Sequence, residues 1–180
     1  MNPLQNPATS GEEFQHKRYA HMDGEMNYFA YGSNLDWDQM RARCASVEFV
    51  CVAKLPDHRM AFTHRSLSRK CGTADAKPSK RDELWGVVYE IDESEITVLD
   101  RHEGYDPSRP HDSKVYVRIE CRVCRQSDDD DGMAVQTYVV ATPKACLPSA
   151  AYRDLILEGA RQWRLPASYI RKLKTIQVAE

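Results

Sequence analysis

Three short segments carry side chains that could bind or transform a small polar molecule. The first is Tyr31-Gly32-Ser33-Asn34, where an apolar strand gives way to a helix. A glycine there allows a sharp turn, and the start of a helix presents backbone N–H groups that can hold a carboxylate or another anion. The same residues would also serve as a capped helix start with no further role, and the pattern alone leaves both interpretations open.

The second segment is L-D-R-H-E-G-Y at residues 99–105, which contains Glu103. We expect Glu103 to stand at the end of a helix, where the negative end of the macrodipole disfavours an ionised carboxylate. A carboxyl group held in this way suits a general base. The alternative is an exposed surface glutamate that tolerates a weak penalty.

The third segment is the predicted strand at 135–141, which contains Tyr138. A tyrosine in a strand is usually a core residue whose hydroxyl is satisfied within the fold. By itself the pattern therefore favours packing, and a contact with a ligand is the less common alternative.

The charge balance excludes several classes of partner. The chain of 180 residues carries 25 Lys and Arg against 27 Asp and Glu, and no basic stripe is present, so we expect no nucleic-acid partner. It contains no P-loop and no G-x-G-x-x-G motif. No apolar run is long enough to span a membrane, and the first twenty residues lack the apolar stretch of a signal peptide, so we expect a cytoplasmic protein.

The cysteines and histidines predict neither a metal site nor a bound cofactor. Cys121 and Cys124 form a C-x-x-C pair, but no second such pair and no matching histidine pair completes a set of four ligands. The segment around them, 114–125, is typical of a strand rather than of the strand-to-helix turn of a redox motif. The six histidines show no ligand-like spacing.

Alternating strand and helix patterns predict one α+β domain at 26–178, after a flexible tail at 1–25. Residues 67–80 are expected to form a surface loop with one short strand near 72–76, and the acidic run 128–132 is expected to form a hairpin tip. Pro56 and Asp57 should turn the chain before a further strand at 59–63, and Gly86 should mark a bend or a close approach by another segment. The other strands are predicted at 26–31, 48–55, 83–91, 114–124 and 133–141, and helices at 35–44, 92–102, 148–163 and from residue 166 onward.

Taken together, these segments resemble the γ-glutamylcyclotransferase (AIG2-like) family. The resemblance rests on Y-F-A-Y-G-S-N-L at 28–35, E-L-W-G-V-V-Y-E-I at 83–91, L-D-R-H-E-G-Y at 99–105 and G-A-R-Q-W-R-L-P-A-S-Y at 159–169. It covers about residues 27 to 175. The chain departs from the family pattern in its basic 65–70 stretch and its 106–113 loop.

The resemblance implies a small mixed β-barrel with flanking helices and an acid/base glutamate at Glu103. It also implies that the amino-acid end of a γ-glutamyl group is bound by the loop from Tyr31 to Leu35, with Tyr138 close to the pocket. Asp75 stands where many relatives also carry aspartate. The site residues implied for the substrate are Tyr31, Gly32, Ser33, Asn34, Leu35 and Tyr138.

The implied reaction closes the γ-glutamyl group of a small molecule into 5-oxoproline and releases the amine, with no metal and no cofactor. Such an enzyme would belong to glutathione metabolism. The leaving group stays open, since a γ-glutamylamine cyclotransferase and an enzyme that removes a γ-glutamyl protecting group would share these residues. A non-catalytic binding module on the same scaffold is a third alternative. A homodimer is compatible with the sequence, although no exposed apolar stripe requires one.

Overall fold

The computed structural model describes residues 24–110 and 115–179, without the side chains of 128–131. Within these residues, five strands form a closed barrel in the order β1-β3-β2-β4-β5. Every neighbouring pair is antiparallel except β1 and β5, which run parallel. The predicted small mixed barrel with flanking helices is therefore confirmed. The flexible tail predicted at 1–25 falls almost entirely outside the described residues. The end of the predicted 106–113 loop, from residue 111 onward, also lies outside them.

The strands are β1 (Glu25–Ala30), β2 (Glu48–Arg65), β3 (Gly72–Asp92), β4 (Tyr116–Arg125) and β5 (Asp128–Val140). The helices are α1 (Trp37–Arg43), α2 (Ile96–Glu103), α3 (Ala150–Gln162) and α4 (Ala167–Lys174). Two 3₁₀ turns, Ser33–Leu35 and Glu93–Glu95, lead into α1 and α2. None of the helices in the described part of the chain is long and apolar enough to cross a membrane.

The longest hairpin, β2 with β3, corrects two predictions. Residues 77–80, expected in a surface loop, belong to β3, in which Lys77 and Pro78 pair with Arg59 and His58 of β2. The turn expected at Pro56 and Asp57 is instead a register shift inside a continuous β2. Asp57 adopts a left-handed φ of 53°, and its carboxylate accepts a hydrogen bond from the Arg81 N–H at 2.8 Å. The register shift sets Asp57 of β2 opposite residues 79–82 of β3, so the additional residues lie in β3 and β2 continues without a break.

Two further boundaries differ from the sequence-based expectation. The helix predicted at 35–44 is divided at Asp36, whose carboxylate caps α1 by accepting a hydrogen bond from the Gln39 N–H at 2.7 Å. The β4–β5 turn lies at residues 126–127, so the acidic run that follows belongs to β5 rather than to the hairpin tip. Cys121 and Cys124 lie in β4, as the strand prediction required. No cluster of His, Cys, Asp or Glu able to hold a metal is found among the described side chains.

The barrel interior is closed by apolar side chains and by one buried carboxylate. Asp75 is 3% exposed, and it accepts hydrogen bonds from the Thr63 hydroxyl at 2.6 Å and from the Val140 N–H at 3.0 Å. It therefore ties β2, β3 and β5 together at one level of the barrel. The largest side chains without solvent exposure include Phe29, Leu84, Val87, Val88, Tyr89 and Val123.

Gly86 marks a close approach between two strands, one of the two roles predicted for it. A Cβ at this position would lie 2.2 Å from the Ala30 carbonyl oxygen and 2.8 Å from the Phe29 ring. Both neighbours belong to β1, the strand that leads directly into the Ser33 turn. The absence of a side chain at Gly86 therefore sets how closely β1 can pack on β3.

We expect Gly86→Ala to lower the free energy of unfolding by about 1–3 kcal/mol, because the β1 backbone has to move away from β3. Chemical denaturation of the purified variant measures this loss. Gly132→Ala is the matched control, since its Cβ would meet only the flexible end of Arg122 at 3.1 Å. Equal stability of the two variants would contradict this account of the β1–β3 contact.

Candidate active site

A polar cavity opens at one end of the barrel, between the Ser33 turn, the end of α2 and the start of α3. Five tyrosines surround it, together with the turn and one carboxylate. Most of the predicted site residues are thus brought together, although they are far apart in the sequence. The cavity is lined by Tyr28, Tyr31, Gly32, Ser33, Asn34, Ala74, Glu103, Tyr116, Tyr138 and Tyr152.

The turn at the cavity edge follows β1 directly. Its first backbone hydrogen bonds are donated by Leu35 N to Gly32 O at 3.1 Å and by Asp36 N to Ser33 O at 3.0 Å. The N–H groups of Ser33 and Asn34 therefore have no partner within the turn itself. Such groups can receive an anionic part of a ligand.

Gly32 leaves space open at the edge of the cavity. A Cβ here would lie 3.0 Å from the Ala74 Cβ and 3.7 Å from the Tyr152 hydroxyl, inside the cavity. Gly32 therefore precedes the turn expected from the sequence and also keeps space open in the cavity.

Glu103 is the last residue of α2, which ends because Gly104 adopts a left-handed φ of 68°. Its side chain is 18% exposed and pairs with Arg43, whose Nη1 lies 2.9 Å from Glu103 Oε1. Asn34 Nδ2 donates to the same oxygen at 3.1 Å. Both bonds fall on Oε1, and no described residue donates to Oε2, which is left for a ligand.

The Asn34 side chain is the centre of this arrangement. Its amide nitrogen donates to the Tyr28 hydroxyl at 2.7 Å as well as to Glu103. Its carbonyl oxygen accepts from Gln39 Nε2 at 3.0 Å and from Arg43 Nη1 at 2.6 Å. All four hydrogen-bonding positions of the amide are used, so the amide cannot rotate without breaking several bonds.

Arg43, Tyr28, Tyr116 and Tyr152 were not identified from the sequence. Arg43 stands in the last turn of α1, where a basic residue is typical of any helix end, so its type carried no signal. Tyr28 lies in the segment that suggested the family. Because aromatic residues in strands usually pack in the core, the sequence offered no reason to place it in the site. Their roles arise from contacts across the fold.

The predicted Tyr138 lines the cavity with its ring, while its hydroxyl is turned elsewhere. That hydroxyl donates to Asp100 Oδ1 at 2.7 Å, and Asp100 also pairs with Arg118 at 3.1 Å. The Tyr31 hydroxyl donates to the Tyr138 carbonyl oxygen at 2.5 Å. Both tyrosines thus hold β1, β5 and α2 together around the cavity.

Leu35 is the one predicted substrate residue that the structure does not bring to the cavity. It has no solvent exposure and packs beneath α3, where a Cβ on Gly159 would lie 2.6 Å from its own Cβ. Its carbonyl oxygen accepts a hydrogen bond from Trp163 Nε1 at 2.8 Å. Leu35 anchors the turn from below.

The cavity tyrosines are neutral phenols at physiological pH. Burial raises the pKa of Tyr28, Tyr31, Tyr116, Tyr138 and Tyr152 above the ordinary value, and the nearby Glu103 raises it further for four of them, Tyr138 excepted. The Tyr152 hydroxyl is hydrogen-bonded to the Ser33 side chain and accepts from the Ala74 N–H at 3.3 Å. Neutral hydroxyls of this kind can donate to a ligand oxygen.

A wider cleft of about 450 Å³ adjoins the cavity and shares Ser33, Glu103, Tyr116 and Tyr152 with it. Its outer wall comes from the loop between β2 and β3, from the end of α2 and from residues near the start of β4. The further lining residues are Arg43, His64, Ser66, Ser68, Arg69, Thr73, Arg101, His102, Gly104 and Val115.

The two histidines of the cleft favour their neutral form. Burial lowers the pKa of His64, whose ring packs against Tyr116 at 5.9 Å between centroids. Burial, followed by the nearby Arg43, also lowers the pKa of His102. At neutral pH the positive charge of the cleft therefore comes from arginine.

The chain is similar to known proteins in sequence and in fold. The AIG2-like family model matches residues 83–173. The γ-glutamylcyclotransferase of Homo sapiens is 34% identical over 154 residues, which cover 83% of this chain and 78% of the human protein. The Mus musculus protein of the same name is 35% identical over 167 residues, covering 90% and 85%.

A solved structure of a γ-glutamyl cyclotransferase superimposes with a TM-score of 0.79 at 32% identity, covering 87% of this chain and 90% of that one. The chain belongs to the γ-glutamylcyclotransferase family of enzymes. The family assignment made from the sequence motifs is confirmed.

We expect the His64 imidazole to titrate with a midpoint below 6.5 in the folded protein. Because the unfolded chain then binds this proton more tightly than the native state, stability is lost as the pH falls through the ordinary histidine range. NMR titration of the His64 ring measures the midpoint, and the same protein in denaturant supplies the reference. A folded-state midpoint at or above that reference would contradict the burial argument.

Proposed function

We propose that this enzyme cyclises the γ-glutamyl group of a small γ-glutamyl conjugate to 5-oxoproline and releases the attached amine. The α-nitrogen of the substrate attacks its own γ-carbonyl carbon, a new C–N bond closes the five-membered lactam, and the original amide C–N bond breaks. Counted from the ammonium form of the substrate, the attacking nitrogen loses two protons in becoming the lactam N–H, and the leaving nitrogen gains two in becoming the released ammonium. The observation that carries the proposal is that Glu103 and the Ser33 turn face the same cavity.

The first task of the cavity is to fold a flexible substrate so that its nitrogen meets its carbonyl carbon. The N–H groups of Ser33 and Asn34 are placed to bind the α-carboxylate, and Gly32 leaves the room for it. Preorganising such an intramolecular attack can supply on the order of 7–11 kcal/mol of the barrier. The neighbouring tyrosine rings shield the reacting centre from water.

The second task is proton transfer, which we assign to Glu103. Arg43 and Asn34 hold Oε1 from one side, so Oε2 can accept the proton of the substrate ammonium and later return it to the leaving nitrogen. One carboxyl group can serve both steps because the two nitrogens are bonded to the same carbon in the tetrahedral intermediate. General acid–base catalysis of this kind contributes about 10²–10⁴-fold.

The third task is to stabilise the oxygen of the γ-carbonyl as it gains negative charge. The Tyr28 hydroxyl accepts a hydrogen bond from Asn34, so its own proton can be directed at the ligand. Backbone N–H groups near Ser33 are further donors. Donors that are already in place stabilise the developing charge without reorganisation. Tyr138 contributes its ring and its anchoring bonds rather than its hydroxyl.

The proposed reaction balances without water, a redox partner or a metal, so we include independence of a cofactor in the proposal. We also propose a cytoplasmic location and a part in the metabolism of glutathione and related γ-glutamyl compounds. The six cysteines, all within the described residues, form no disulfide, which is typical of a reducing compartment.

We expect Glu103→Gln to retain the fold and substrate binding while lowering turnover by about 10²–10⁴-fold. Glutamine keeps an oxygen that can accept from Asn34 and Arg43 but cannot accept a proton from an ammonium group. Release of 5-oxoproline from γ-glutamyl-alanine, followed by mass spectrometry, measures the rate.

The matched control is Glu158→Gln, the same change at an exposed position of α3. This control should retain the wild-type rate. Full activity of Glu103→Gln would overturn the assignment of the acid/base residue, and loss of activity in both variants would point to a different cause.

We expect Gly32→Val to raise KM or to abolish turnover, because its side chain would occupy the space between Ala74 and Tyr152. Gly32→Ala adds a single carbon to the same space and should give a smaller effect in the same direction. Steady-state kinetics of both variants test the placement, with thermal melting to confirm that they are folded. An unchanged KM and rate in Gly32→Val would place the substrate elsewhere.

A further inference from the structure

The loop at 66–71 carries a cation to the mouth of the cleft in a defined conformation. The Ser66 N–H donates to the Cys71 carbonyl oxygen at 3.0 Å, and the Arg69 N–H donates to the Ser66 hydroxyl at 3.2 Å. Lys70 adopts a left-handed φ of 55°, which turns the chain back towards β3. These bonds fix the backbone at Arg69, so that its side chain leaves from a constant position.

The Arg69 guanidinium lines the outer cleft beside Tyr152, a residue that also lines the inner cavity. It stands 4.9 Å above the ring of Tyr152, whose hydroxyl reaches Ser33 inside the cavity. Its Nη2 donates to the neutral Gln39 amide oxygen at 2.9 Å. No carboxylate among the described residues pairs with Arg69, so its charge faces the cleft without an acidic partner.

The other basic residues of the cleft are less suited to attract an anion beside Tyr152. Arg43 pairs with Glu103, and Arg101 bends back along α2, where its Nε donates to the Thr97 carbonyl oxygen at 3.2 Å. His64 and His102 favour the neutral form at physiological pH. Arg69 is therefore the cleft residue best placed to attract an anion that enters beside Tyr152.

The position of the scissile bond indicates which anionic group of a substrate would come close to Arg69. If Glu103 protonates the leaving nitrogen, as proposed above, the leaving group extends from Glu103 into the cleft, because Glu103 lines both spaces. In a leaving α-amino acid, the carboxylate is separated from that nitrogen by a single carbon. It would thus lie just outside the inner cavity, on the side where Arg69 crosses Tyr152.

We propose that Arg69 is the specificity-determining residue for the leaving group. It binds a carboxylate next to the released nitrogen and so favours conjugates of amino acids over conjugates of neutral amines. The planar guanidinium can donate two parallel hydrogen bonds to a carboxylate while keeping its stacking on Tyr152. A neutral amine gains nothing from these donors. This inference rests on the proposed reaction and assigns the role to a residue in the 65–70 stretch, where the chain departs from the family pattern.

The test compares two substrates that differ only in this group, γ-glutamyl-alanine and γ-glutamyl-ethylamide. We expect Arg69→Gln to lower kcat/KM for γ-glutamyl-alanine by about 10- to 100-fold, the usual range for a charge-assisted hydrogen bond. The ethylamide should change by less than about twofold on the same reasoning, since its leaving group carries no charge for Arg69 to bind. Arg69→Lys keeps the positive charge but not the planar guanidinium. Its kcat/KM for γ-glutamyl-alanine should therefore fall between those of the wild type and Arg69→Gln.

Lys70→Gln is the matched control. It removes one positive charge from the same loop at a residue that does not line the cleft. Wild-type selectivity in this control shows that the effect of Arg69 is local rather than a general attraction of anions. Loss of selectivity in Lys70→Gln equal to that in Arg69→Gln would overturn the proposal.

Other results separate the failure of this inference from the failure of the reaction. An equal loss on both substrates in Arg69→Gln, or no loss on either, would overturn the specificity role and leave the cyclisation intact. A wild-type protein that releases no 5-oxoproline from either substrate would overturn both.

A binding measurement covers the case in which turnover of the ethylamide is too slow to detect. Calorimetry in the Glu103→Gln background, with and without Arg69→Gln, compares the affinities of the two intact conjugates. A selective loss of γ-glutamyl-alanine binding supports the role of Arg69, and equal affinities in the two backgrounds overturn it.

Discussion

The cavity depends on one side-chain amide. Asn34 leaves the turn after β1 and reaches Tyr28 in that strand, Gln39 and Arg43 in α1, and Glu103 at the end of α2. An asparagine offers two donor and two acceptor positions, and here each of them is used. Together with the ion pair between Arg43 and Glu103, these bonds hold β1, α1 and α2 in one relative orientation. A buried network of this kind is specific because any displaced member leaves another without its partner.

The same network sets the electrical character of the site. The ion pair between Arg43 and Glu103 is largely shielded from solvent, so it is weakened little by water and salt. Because Arg43 and Asn34 both bond to one oxygen of Glu103, the other oxygen is left for a hydrogen bond to a ligand. Around this single carboxylate the walls are neutral, since burial keeps the tyrosines protonated. Charge is thus confined to Glu103 and its partner Arg43.

The site consists of two spaces, an inner cavity and an outer cleft, whose walls differ in how much they contribute to the stability of the fold. The inner cavity is built on residues that also hold the barrel together, such as Tyr31 and Tyr138, and its shape is tied to the stability of the fold. The outer cleft is bordered by the 66–71 loop, which contributes little to the core. Loops of this kind can change in sequence without loss of the barrel. In the proposed reaction, the common end of the substrate and the variable leaving group would accordingly be bound by different parts of the chain.

Much of the local structure follows from the sequence because its causes are local. Asp36 and Ser149 cap helices with their own side chains, Gly104 ends α2, and the apolar alternation of 114–124 and 135–140 marks strands. The turn at Gly32 and Ser33 and the position of Glu103 at a helix end were predictable for the same reason. The family motifs then indicated that these separate segments belong to one site.

Only the tertiary structure decided what those segments touch. The parallel pairing of β1 with β5 and the extension of β3 beyond its apolar part depend on partners distant in the sequence. Arg43 meets Glu103 across sixty positions of the chain, and Arg69 reaches Tyr152 only because the barrel places the β2–β3 loop beside α3. A side chain's type sets which bonds it can form. Which bond it does form is set by closure of the barrel, because closure determines which groups come within reach.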